Sequence, residues 1–120
     1  MDHRTPLRDE DIEEALSSSA HRRILATCIR RPVSVKQISE TTSLPLASAY
    51  RNVRALEDRG LLIVERSALT VDGKPYDLYR SRIREASLRV SGDGVQVDWQ
   101  VEASVEDRLL RMWNYLGSRA

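Results

Sequence analysis

One cysteine, two histidines and no apolar run near the ~20 residues that span a bilayer leave this 120-residue chain few chemistries. With Cys28 alone no internal disulfide forms, which suits a reducing cytoplasm. Cys28 falls among Ile24, Leu25 and Ile29 at helical spacing, the setting of a buried small hydrophobe rather than a redox sensor. His3 stands near the N-terminus and His21 beside Arg22 and Arg23, too far apart to make a metal motif with the cysteine. No GxGxxG or GxxxxGK(S/T) pattern offers a phosphate cradle, so neither a metal, a cofactor nor an enzyme is expected. The N-terminus has no apolar signal core, and neither secretion nor membrane insertion is expected.

What is present is ordinary in bulk and uneven in place. Hydrophobic residues make up 41% and charged residues 31%, which suits one compact domain with an extension. The net charge of +1 divides into −4 over residues 1–14, +7 over residues 15–84 and −2 over residues 85–120. A local basic surplus is what a polyanion needs, whatever the charge of the whole.

The segment 34–62 carries the clearest pattern. Ser34 and Gln37 form a capping box, Val35 and Ile38 supply an inner face, and Leu44 is expected as the buried pin of the turn. Pro45 forbids continuation of the first helix and suits the first turn of the second. Ala49, Val53 and Leu56 recur at steps of four and three, and Gly60 stands where a left-handed stop is required. This is a helix-turn-helix with Leu46, Ala47, Ser48, Tyr50, Arg51 and Arg54 on its bare face, which in isolation is as readily a solvated surface.

Two β-type runs follow, residues 61–66 and 76–83, around Asp72-Gly73-Lys74-Pro75. A period of two puts Tyr76, Leu78, Arg80 and Arg82 on one face and Asp77, Tyr79, Ser81 and Ile83 on the other. With this hairpin, over about residues 12–82, the chain resembles the winged helix-turn-helix transcription regulators of the ArsR-like type. The matching segments come in the family's order: residues 15–25, where a short helix ends at a small polar turn; Pro32 to Ile38; Ser48 to Leu61; and Asp72 to Tyr79. Family members that sense metals carry paired cysteines at the entry to the turn, where this chain has Val35, Lys36 and Gln37. Pro45 and Leu46 replace the usual polar residues, so no base contact is carried over to them.

The expected fold is therefore α+β, a winged helix-turn-helix over residues 1–83 with an added hairpin and helix over residues 84–120. The expected function is sequence-specific binding of double-stranded DNA by a cytoplasmic regulator, with the helix at about residues 46–59 in the major groove. Ser48, Tyr50, Arg51 and Arg54 are the candidate base readers, and Lys36, Arg66, Lys74 and Arg80 the candidate phosphate contacts, with the wing at about residues 62–82. The alternative is a winged-helix protein interaction module without specific DNA binding.

In the extension, Ala86, Leu88 and Val90 alternate, Ser91-Gly92-Asp93-Gly94 turns, and Val95, Val97, Trp99 and Val101 alternate again, giving a second hairpin with one apolar face. Ser104 caps a helix striped with Val105, Leu109, Met112, Trp113 and Leu116 and stopped by Gly117. This stripe either folds back on its own domain, with the acidic helix around Ile12, Ala15 and Leu16, or meets a second copy. The homodimer is the expected arrangement, because paired recognition helices match a palindromic site. Trp99, Trp113 and Tyr115 are more simply core than the lining of an effector pocket, so a small-molecule effector has no residue pattern to support it.

Overall fold

Four helices are followed by four strands in the computed structural model, which describes residues 6–101 and Trp113. They are α1 (Asp9–Ser17), α2 (Ser19–Arg30), α3 (Val35–Thr42), α4 (Leu46–Asp58), β1 (Leu62–Leu69), β2 (Pro75–Ser81), β3 (Ile83–Ser91) and β4 (Gly94–Val101). β1 pairs antiparallel with β2, and β3 with β4, in two separate two-stranded sheets. The mixed α+β class expected from the sequence is what the chain adopts. Among the described residues no helix is long and apolar enough to cross a membrane.

Each helix is delimited by chemistry within a few residues of its ends. Asp9, Glu10 and Asp11 place negative charge in the first turn of α1, where the helix dipole favours it, and the Arg8 amide donates to Asp11 Oδ2 at 3.2 Å. Ser18 ends α1 and caps α2, its Oγ accepting from the His21 amide at 3.2 Å. At α3 the capping box forms as expected: Ser34 Oγ accepts from the Gln37 amide at 3.1 Å, and the Ser34 amide donates to Gln37 Oε1 at 2.9 Å.

The turn between α3 and α4 is built differently from the expectation. Leu44 is half-buried rather than a sealed pin, because side chains close the turn without it. Ser39 Oγ donates to the Leu44 carbonyl and Arg23 Nη1 to the Thr42 carbonyl, both at 2.6 Å, while Ser43 takes the left-handed conformation at φ 60°. Pro45 stands just outside the helix as its N-cap, and its carbonyl accepts from the Ala49 amide at 2.9 Å. At the other end Gly60, at φ 81°, makes a Schellman stop: its amide bonds to Glu57 O and the Leu61 amide to Leu56 O, both at 2.9 Å.

One core gathers these elements. Ile12, Ile24, Ile38, Leu56, Leu61 and Leu62 are fully buried at its centre, with Ala49 and Val53 of α4 and Ile83 of β3 joining them. On the polar side, Asp11 is almost fully buried and pairs with Arg59 Nη1 at 3.1 Å; Arg59 also pairs with Glu14, so α1 braces the end of α4.

The first hairpin departs from simple alternation. Pairing skips Glu65 between Val64 and Arg66, a bulge on β1, while Leu78 and Ser81, one from each face, are the buried residues of β2. Tyr79 exchanges both main-chain hydrogen bonds with Val33, at 3.0 and 2.7 Å, which ties the hairpin to the entry of α3. The chain then turns a corner at Arg82, whose amide donates to Leu61 O and whose Nη1 donates to Gly60 O, both at 2.9 Å.

The second hairpin forms as expected, and its register pairs Ala86 with Trp99, Leu88 with Val97 and Val90 with Val95. Its base packs on the core and on α1, where Trp99 Nε1 donates to Asp9 Oδ1 at 3.0 Å. Towards the tip, Val90 and Val95 are exposed. Of the expected interface stripe, Val105, Leu109, Met112 and Leu116 lie outside the described residues; Trp113 is helical and 74% exposed.

Because the Ser34 hydroxyl caps the first turn of α3, Ser34→Ala is expected to destabilise the fold by about 1 kcal/mol. Thermal unfolding should show a fall of several degrees, with Ser34→Asp recovering most of it.

Candidate nucleic-acid interface

α4 is fixed by its buried side and open on the other. Ala49, Val53 and Leu56 hold it to the core, while Leu46, Ala47, Tyr50, Arg51 and Arg54 are exposed on the opposite side. Ser48 is half-buried, its Oγ accepting from Arg51 Nη2 at 3.4 Å, and its carbonyl takes the Asn52 side-chain amide at 2.8 Å. A guanidinium, a phenol and a hydroxyl therefore share one accessible helix surface, groups that hydrogen-bond base edges and phosphates.

The candidate phosphate contacts are distributed around this helix. Lys36 is exposed in the first turn of α3, where the helix dipole adds to its own charge. Lys74 is exposed at the tip of the first hairpin, held by its amide bond to Thr70 Oγ1 at 3.0 Å and by the Thr70 amide bond to Lys74 O at 2.9 Å. Arg66 is exposed on β1. Arg80 differs: it is half-buried and pairs with Glu65 at 3.5 Å, which neutralises part of its charge.

Between the start of α3, Tyr50 and the first hairpin lies an open cleft of about 720 Å³, with Lys36, Leu69, Tyr76, Asp77 and Tyr79 on its walls. Beside it the surface is locally acidic. Burial, then Asp58 and Asp77, raise the pKa of Glu57 above the usual carboxylate value, with Arg54 opposing. Burial, then Glu57 and Asp77, likewise raise that of Tyr79. Sequence reasoning missed this grouping. Glu57 and Asp58 are adjacent in the chain, but Asp77 arrives only through the strand register.

Cys28 is the buried small side chain expected from its neighbours. Cys28 is fully buried, and burial pushes its thiol up to about 12, which leaves it protonated and inert. Among the described residues no three or more His, Cys, Asp or Glu side chains are grouped to hold a metal ion.

Residues 16–65, from the end of α1 through α4 into β1, match a family model described as a helix-turn-helix domain. The matched span includes α3, the Ser43 turn and α4, two helices joined by a tight turn. No curated protein matches the chain.

The folded state holds the Glu57 proton more tightly than the unfolded chain does, so its contribution is favourable at low pH and is lost as pH rises through the raised value. Glu57→Gln is accordingly expected to raise the melting temperature at neutral pH. That gain should vanish below the carboxylate range.

Proposed function

We propose that this protein is a sequence-specific double-stranded-DNA-binding transcription regulator, a winged helix of the ArsR-like type that acts as a cytoplasmic homodimer. Its task is binding, not catalysis. The observation that carries the reading is the bare face of α4, with Tyr50, Arg51 and Arg54 exposed on a helix whose other side is locked into the core.

In this reading α4 enters the major groove, where a bidentate contact from Arg51 or Arg54 to guanine contributes about 1–3 kcal/mol of discrimination. The first hairpin is the wing, and Lys36, Arg66 and Lys74 hold the flanking backbone without reading sequence. The surplus of +7 over residues 15–84 supports this assignment, because phosphate binding depends on local charge. A second copy fits the exposed apolar residues Val90, Val95 and Trp113, and pairs two recognition helices.

Selection from a random duplex pool supplies the test sequence. Arg54→Ala is expected to weaken binding to that duplex more than to a random one. Lys74→Ala should weaken both alike and lower the salt slope by about one. Equal losses for both variants on both duplexes would overturn this division of roles, and salt-insensitive, negligible affinity would overturn DNA binding itself. Sedimentation at micromolar protein should give a dimer; a monomer with and without the selected duplex would remove the dimer from the proposal.

A further inference from the structure

The cleft beside α4 has a chemistry that phosphate contact leaves unused. A surface for a polyanion gains from ammonium and guanidinium groups, yet the hairpin side of this cleft presents Tyr76, Tyr79 and the Asp77 carboxylate, with Tyr50 of α4 joining them. Leu69 and Val71 add apolar wall, and the volume of about 720 Å³ is that of a small-molecule site.

Asp77 is held in place without being neutralised: its Oδ1 accepts from Ser67 Oγ at 2.9 Å across the strand pair, and the residue remains exposed. Glu57 reinforces the same sign of potential near Tyr79, with Arg54 opposing it. Tyrosine rings attract cations through their faces, and a carboxylate supplies the counter-charge. A small hydrated metal ion gains nothing from the apolar wall, and an anion meets Asp77.

From this juxtaposition we infer that the cleft binds an apolar organic cation, of the quaternary ammonium or phosphonium class, seated among Tyr50, Tyr76 and Tyr79 with Asp77 as its counter-ion. Lys36 stands on the α3 side and marks the end away from the ligand's charge. Lys36 and Tyr50 are also assigned to DNA, so an occupied cleft releases the duplex. That consequence rests on the DNA-binding reading, whereas the cation site does not.

The test uses the full chain and tetraphenylphosphonium as the probe, followed by amide chemical shifts. Saturable shifts are expected at Tyr50, Tyr76, Asp77 and Tyr79. Asp77→Asn, which keeps an acceptor for Ser67, should weaken binding about three- to tenfold, and Tyr76→Leu, which keeps apolar bulk, about as much. Tetraphenylborate, of the same shape and opposite charge, should leave Asp77 and Tyr79 unshifted. Absence of saturation at millimolar probe, or equal affinity in Asp77→Asn, overturns the site. In a second arm the probe should displace the labelled selected duplex; retention of the duplex by the probe-bound protein overturns the competition. If the duplex binds and the probe does not, the inference alone fails; if the probe binds and no duplex does, the site stands and the DNA-binding reading fails.

Discussion

Val33 and Tyr79 exchange both of their main-chain hydrogen bonds, at 3.0 and 2.7 Å, and the relation of the first hairpin to the helices depends on this junction. A lone two-stranded hairpin is marginal in water, and β1–β2 has few buried side chains of its own. Bonding to the residue just before the Ser34 cap gives it a fixed neighbour. The same bonds set the width of the cleft, because Tyr79 lies on one wall and the start of α3 forms another. The corner at Arg82 completes the arrangement by bonding the end of the hairpin to Gly60 and Leu61, directly after α4.

Charge is sorted with comparable economy. The acidic N-terminal segment does not compete for the basic face with all its charge, since Asp11 and Glu14 are occupied with Arg59. This pairing removes one arginine from the exposed end of α4 and anchors α1 against it. Arg80 is similarly engaged by Glu65. Around α4 and the first hairpin, Lys36, Arg51, Arg54, Arg66 and Lys74 are exposed, with the carboxylates of Glu57, Asp58 and Asp77 giving one edge of that surface the opposite sign.

Much of the fold was legible because its signals are local. The Ser34–Gln37 box, the Ala49-Val53-Leu56 stripe, the Gly60 stop and the hairpin of β3 and β4 each depend on residues close in sequence or on one simple period. The bare face of α4 followed by subtraction. Leu44 was misjudged because a turn can be closed by hydrogen bonds as well as by burial, and Ser39 and Arg23 supply them here. The slip of pairing at Glu65 was not legible, because nothing within β1 announces where its register with β2 shifts.

The sequence by itself determined where helices start and stop, which side of α4 enters the core, where both hairpins turn, and that positive charge concentrates in the middle of the chain. Those are matters of capping, period and composition, settled over a few residues. Only the tertiary structure decided that Arg59 serves α1, that Tyr79 bonds Val33, and that Asp77 comes near Glu57 beside three tyrosines. Each of these joins residues 20 or more positions apart, and such pairings are set by packing and strand register, which no local pattern encodes.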